Sequence, residues 1–115
     1  MNKLTINQIQ EISKKWIKEN GFKWSSYAEY CHLVEEVGEL GEAIVVKHGE
    51  RQSGSGEQGD ADHDNIEEEI GDVLFSTVVI ANRYNLDLEK VFEQTIKRYD
   101  EKVRLKNDNN PLSRK

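Results

Sequence analysis

The 115-residue sequence predicts an all-α protein, a four-helix up-down bundle that oligomerises through helix faces. Two features point away from sheet: a single proline and a charged fraction of 33%. A third is periodicity. Apolar residues recur at i, i+3 and i+4 along four long stretches instead of alternating. Short turns after the first and third stretches make antiparallel neighbours. A chain this small buries a limited share of its surface, so a second copy is expected to help complete the core.

Each helix has its own signals. The first is predicted from Thr5, with Thr5 and Gln8 as a capping box. Ile6, Ile9, Ile12, Trp16 and Ile17 make its stripe, and Asn20-Gly21 stops it. The second starts at Ser26, with Glu29 as its box partner, and ends near His48-Gly49. Tyr30, Leu33, Val34, Val37, Leu40 and Ile44 form its stripe. Residues 49 to 64, "GERQSGSGEQGDADHD", lack any large apolar residue and read as a mobile surface loop. The third helix starts near Asp64 or Asn65 and ends at Tyr84-Asn85. Ile66, Ile70, Val73, Leu74, Thr77, Val78 and Ala81 are expected inward, and this most apolar helix is expected at the centre. Asp87 caps the fourth, where Leu86 can staple onto Val91. Its stripe is Leu88, Val91, Phe92, Thr95, Ile96, Tyr99 and Val103. Residues 1–106 are read as one domain and 107–115 as a flexible tail.

Composition excludes several classes. The formal net charge is −6, which disfavours nucleic acid and anionic membrane surfaces as partners. The single cysteine, Cys31, rules out an intrachain disulfide and reads as a small core residue. The N-terminus "MNKLTINQIQ" lacks a signal-peptide apolar core. No apolar run reaches bilayer-spanning length. A cytoplasmic home is the expectation.

One pattern is written twice: "EEVGEL" at Glu35–Leu40 and "EEIGDV" at Glu68–Val73. Glycine inside a helix costs about 1 kcal/mol relative to alanine, and clustered acids repel. On a helix, Glu36 and Glu39 lie roughly 60° apart on one side, beside Leu33, Val37, Leu40 and Ile44. Glu69 and Asp72 repeat this beside Ile66, Ile70, Val73 and Thr77. Four carboxylates meeting between helices need protons or cations. A hard divalent cation such as Mg²⁺ takes oxygen ligands and commonly shares its shell with substrate phosphates. Gly38 and Gly71 then suggest close approach of backbone or substrate. The plainer account of any one such pair is a solvated helix face. Two matched pairs favour the cation.

At these residues the sequence resembles the MazG-like family of all-α nucleoside triphosphate pyrophosphohydrolases, marked by Glu-Glu-x-x-Glu followed by Glu-x-x-Asp. Here the first is Glu35, Glu36 and Glu39, and the second is Glu69 and Asp72. "LVEEVGELGEAI" and "EEEIGDVLFSTVVIANRYNLDLEKVF" extend the likeness, which spans roughly residues 12 to 104. The resemblance implies a helical bundle working as a dimer or tetramer. It implies hydrolysis of a nucleoside triphosphate between the α and β phosphates, and the leading reading is house-cleaning of the nucleotide pool, clearing noncanonical or excess members. Glu36, Glu39, Glu69 and Asp72 would bind Mg²⁺, with Mn²⁺ as a substitute. Glu35 would orient water or act as the base. The fourth helix of relatives offers a lysine and an arginine to the phosphates. Here that region reads "EQTIKRYDEKVRLK", and Lys97, Arg98, Lys102 and Arg104 are the candidates. Their plainer role is to answer the helix dipole.

In similar proteins N-terminal aromatics hold the base. Trp24, in a turn and outside any stripe, is the better candidate; Trp16 lies on the first stripe and reads as core. His32 falls on the acidic side of the second helix, where a surface role competes with substrate contact. Asn82 offers a sugar or base contact against the plainer role of a polar residue near a helix end. "DADHD" (60–64) lacks the Gly and Glu of a calcium loop. Two readings compete with the leading one. One is a related pyrophosphohydrolase acting on another nucleotide, such as phosphoribosyl-ATP. The other is a non-catalytic helical module whose acids bind a basic partner.

Overall fold

The computed structural model describes residues 3–49 and 64–109. It contains four helices, α1 (Ile6–Glu19), α2 (Ser26–Lys47), α3 (Ile66–Arg83) and α4 (Leu88–Asp108), and no strand among the described residues. Most of the expected 49–64 loop, with the greater part of "DADHD", lies outside the described residues, as do residues 110–115. Helix α4 runs to Asp108, two residues into the segment read as a tail. None of the described helices is long and apolar enough to cross a membrane.

The ends follow local chemistry. Thr5 and Gln8 form the reciprocal capping box. Asp87 accepts from the Glu89 and Lys90 amides. The start of α2 differs by one residue: Ser25, in extended conformation, is the cap and accepts from the Ala28 amide. That puts Ala28, not Glu29, three residues on, so no capping box forms and Glu29 turns inward. Helix α1 ends in a Schellman motif. Gly21 takes φ +70°, the Phe22 amide reaches Ile17 O and the Gly21 amide reaches Lys18 O. Helix α3 ends the same way with Asn85 at φ 53°, an asparagine where glycine is usual.

Helix α3 is central, packed against both α1 and α2, while α4 meets the rest chiefly through α1. Among the described residues the buried apolar core is small: Ala43, Val78 and Ala81. The faces that meet coincide only in part with the stripes that periodicity suggests: Val78 and Ala81 are inward as expected, and most of the others are not. On α2, Glu36 and Ala43 are buried, while Tyr30, Val34, Val37 and Ile44 are exposed. On α3, Glu69, Ser76, Val78 and Ala81 are buried, while Ile70, Leu74 and Thr77 are exposed. On α1, Gln10 and Ser13 are buried, while Ile12 and Trp16 stand about half out. Helix α4 buries no residue, and Phe92 is 64% exposed. Cys31, expected in the core, is exposed. A Cβ at Gly38 or Gly71 would meet nothing within 4 Å, so among the described residues neither glycine serves close approach.

Gln10 ties α1 to the α3–α4 turn. Its Nε2 donates to Leu86 O (2.7 Å) and Asn82 Oδ1 (3.1 Å), and its Oε1 accepts from the Leu88 amide and Asn7 Nδ2 (both 3.0 Å). Asn82 Nδ2 returns a bond to Gln10 O (3.0 Å), and Asn7 also donates to Asp87 (2.9 Å). The Asn7 bond, helped by the Glu89 and Lys90 amides, holds the Asp87 carboxyl below its usual range. All four positions of the Gln10 amide are used. Gln10→Ala strands the Leu88 amide and Asn82, and is expected to cost about 2–3 kcal/mol in urea unfolding. A loss below about 0.5 kcal/mol would show that water replaces the amide.

Candidate active site

The acids meet where α2 lies along α3. Glu36 from α2 and Glu69 and Asp72 from α3 each offer one carboxylate oxygen, all within 4.8 Å of one another. Glu36 is 8% exposed and Glu69 3%. Burying unneutralised carboxylates is costly. Burial pushes the Glu36 carboxyl up to about 7, with further upward contributions from a hydrogen bond to Glu39 and the charges of Glu39, Asp72 and Glu69. Glu36 Oε2 has no hydrogen-bond partner among the described residues. Its other oxygen, Oε1, lies 3.2 Å from His32 Nε2.

These residues fit a hard divalent cation. The donors are all carboxylate oxygens, the preference of such ions, and they come from two helices so that one ion would clamp both. A Mg²⁺ with ligands at about 2.1 Å keeps them within about 4.2 Å of one another. The cluster needs to contract only slightly. The orphaned Glu36 oxygen would gain the partner it lacks.

The other predicted acids sit around this triad. Glu39 lies outside the 4.8 Å group but hydrogen-bonds to Glu36. Glu35 is largely exposed, with Oε2 4.0 Å from His32 Nδ1. His32 is therefore neither a plain surface residue nor a free one: it stands between Glu35, Glu36 and the Trp24 ring, whose centroid is 4.9 Å away.

Beside the acids lies an aromatic cleft. A cavity of about 150 Å³ is lined by Trp16, Phe22, Trp24, His32, Phe75 and Ser76, among others. A wider, more open lobe of about 330 Å³ shares Phe22 and Trp24 and adds Lys14, Lys23 and Arg83. Trp16 stacks on Phe22 at 5.4 Å and meets Phe75 edge-on at 5.6 Å. Trp16 thus forms a cavity wall, where stripe position suggested core. The Schellman turn after α1 folds Phe22 back over the helix. Arg83 then fastens the turn by donating to Glu29 and to Trp24 O.

Sequence reasoning passed over Phe22, Phe75, Ser76, Glu29 and Arg83. A signal existed for Glu29: positions 29, 32, 36, 39 and 43 recur at helical spacing, and that mostly polar face is the one α3 covers. Asn82 lines the wider lobe, but both ends of its amide are engaged by Gln10. Lys97, Arg98, Lys102 and Arg104 are exposed on α4. Arg98 lies 5.7 Å from the Tyr99 ring centroid, and Arg104 pairs with Glu101 and Asp108 on its own helix. None of the four is brought to the acid triad within one chain.

The raised Glu36 carboxyl has a stability consequence. Its folded value, about 7, exceeds the ordinary 4.5, so the folded state holds this proton more tightly. The stabilisation is complete below about pH 4.5 and lost as pH rises through 7. In EDTA, the Tm of Glu36→Gln minus that of the wild type is expected to grow by several degrees between pH 5 and 8. A difference independent of pH would mean that Glu36 titrates normally.

Comparison with known proteins bears on this geometry. Residues 25–104 match the model of the MazG nucleotide pyrophosphohydrolase domain, which covers both acidic motifs. The chain is 33% identical to the YpjD protein of Bacillus subtilis (strain 168) over 103 residues, 87% of each chain. The crystal structure of Bacillus subtilis YpjD superposes with a TM-score of 0.72 at 29% identity, covering 86% of this chain and 96% of that one. A Bacillus-conserved MazG protein, a nucleotide pyrophosphohydrolase, superposes with a TM-score of 0.67 at 30% identity, covering 86% and 93%. The family match spans most of the sequence, and the chain belongs to the MazG nucleotide pyrophosphohydrolase family.

Proposed function

We propose that this protein is a Mg²⁺-dependent hydrolase of ribo- or deoxyribonucleoside triphosphates, cleaving between the α and β phosphates to give the monophosphate and pyrophosphate. The observation that carries this reading is the convergence of Glu36, Glu69 and Asp72 within 4.8 Å, next to an aromatic cavity of about 150 Å³. A bound divalent cation supplies charge for the α-phosphate and acidifies a coordinated water. Glu36, Glu69 and Asp72 hold it, with Glu39 completing the set through its contact with Glu36. His32 fixes the Glu36 carboxylate and forms part of the cavity wall. Glu35, exposed beside His32, orients the attacking water. Trp16 and Trp24 stack the base, a contact worth about 1–3 kcal/mol per ring and tolerant of base identity. No nucleophilic serine or cysteine is required, because positioning and charge neutralisation carry phosphoryl transfer.

The burial of the acids argues against a non-catalytic docking module, which would present them to solvent. A homo-oligomer, dimer or tetramer, is part of the proposal. Phe92, Ile96, Tyr99 and Val103 on α4 are each more than 40% exposed, as are Val34, Val37, Ile70 and Leu74 on the outer faces of α2 and α3. Such faces suit a second copy. Lys97, Arg98, Lys102 and Arg104 would then serve the phosphates only through that assembly.

Product analysis tests the chemistry. Each common nucleoside triphosphate is incubated with Mg²⁺ or with EDTA, and the products are separated by chromatography. Mg²⁺-dependent monophosphate plus pyrophosphate is expected; diphosphate plus orthophosphate would refute α–β cleavage. Glu69→Ala should lower turnover by roughly 100-fold or more, because a cation's charge stabilisation is worth several kcal/mol. Light scattering tests the assembly. The wild type should exceed the monomer mass of 13.3 kDa, and Phe92→Glu with Ile96→Glu should shift it toward that mass. A monomeric wild type would refute the oligomer.

A further inference from the structure

Ser76 is out of place as a structural residue. It is 3% exposed, and its hydroxyl has no hydrogen-bond partner among the described residues. Helical hydroxyls have an easy local remedy, a bond to the carbonyl four residues back. Thr77 takes it, bonding Val73 O at 2.8 Å, and Thr95 takes it, bonding Val91 O at 2.9 Å. Ser76 does not. Ser76 is among the residues that line the 150 Å³ cavity, with Trp16, Phe22, Trp24, His32 and Phe75. A buried hydroxyl without a partner is destabilising, and natural structures rarely leave one so without a reason.

The cavity's size and walls indicate what would satisfy it. A cavity of about 150 Å³ accepts one benzene-sized ring. Aromatic walls favour a flat π-system, and the hydroxyl can donate to, or accept from, a ring edge bearing nitrogen or a carbonyl. Ser76 lies one helical turn beyond Asp72, about 6 Å along the α3 axis, and His32 is shared by the cavity and the acid triad. A molecule whose phosphates lie at the acids can therefore place its base in this cavity.

We propose that Ser76 is a specificity-determining residue, its hydroxyl hydrogen-bonding the polar edge of a six-membered heteroaromatic base ring. This rests on the pyrophosphohydrolase reading and extends it. A cavity that merely stacks its ligand is tolerant of base identity; a buried hydroxyl makes it discriminate, because the wrong edge leaves a polar group unpaired.

The test compares wild type and Ser76→Ala on the same triphosphate panel with Mg²⁺, measuring kcat and KM for each base and the Tm of each protein without nucleotide. In Ser76→Ala, KM for the preferred base should rise by about 10-fold, the loss of one hydrogen bond to a buried group. The kcat should stay within about 3-fold, because the reacting phosphates do not touch this hydroxyl. The ratio of kcat/KM between best and worst base should shrink accordingly. The Tm should rise by a few degrees, since alanine removes a desolvated hydroxyl. Unchanged base ratios would overturn the assignment, and so would a Tm lower by several degrees, which would mean the hydroxyl is already satisfied within the protein. A wild type inactive on every triphosphate would bring down the pyrophosphohydrolase reading itself, and with it this one. An active wild type with an indifferent Ser76→Ala brings down only this one.

Discussion

The packing of α2 on α3 is the constraint around which the other contacts are arranged. This interface carries carboxylates where a helical protein of this size would ordinarily put leucines. Glu36 and Glu69 are both more than nine-tenths buried. They come together with Asp72 inside 4.8 Å. The cost falls on protonation, and Glu36 is pushed up to about 7 by burial first and by its acidic neighbours next. The apolar core that offsets this is small, with Ala43 and Val78 fully buried.

The remaining elements brace that seam. Helix α1 covers α3 from the other side. The turn at its end places Phe22 and Trp24 over the cavity, held by Arg83 at the far end of α3. Gln10 fixes the α3–α4 turn by three side-chain hydrogen bonds, to Asn82, Leu86 and Leu88, so α4 departs in a set direction although it buries none of its own residues. Polar contacts thus perform jobs that apolar packing performs in larger domains, consistent with the limited burial open to a chain of 115 residues.

Local signals in the sequence read out well, and global ones less so. Thr5, Asp87, Asn20-Gly21 and Tyr84-Asn85 mark helix ends correctly because a cap is decided by a few adjacent atoms. Ser25 and Ser26 compete for one cap, and only backbone conformation separates them. The inward faces of α2 and α3 depart from the apolar stripes, Val78 and Ala81 apart, for a different reason. Periodicity detects an apolar face but does not say whether the covering surface belongs to the same chain. Val34, Val37, Ile70 and Leu74 make an apolar face that the described residues do not cover. The doubled acidic motif pointed to Glu36, Glu69 and Asp72 because matched spacing on two helices constrains where carboxylates can meet. The cavity was less legible. Phe75 and Ser76 look like ordinary members of an apolar helix, and Phe22 like a turn residue, until tertiary packing assembles them.

Glu36 and Ser76, on this seam, are held at a cost the fold itself does not repay. Glu36 keeps a buried oxygen without a hydrogen bond, and Ser76 a buried hydroxyl in the same state. Both lie on the line where α2 meets α3. Away from this seam, the buried Gln10 has every position of its side-chain amide bonded. Random imperfection would scatter such defects across the fold. Their concentration in one acidic cluster and one aromatic cavity, joined by His32, matches a site whose missing partners arrive with a ligand. A cation answers an oxygen and a base edge answers a hydroxyl. A nucleotide carrying its own metal is a single molecule able to satisfy both.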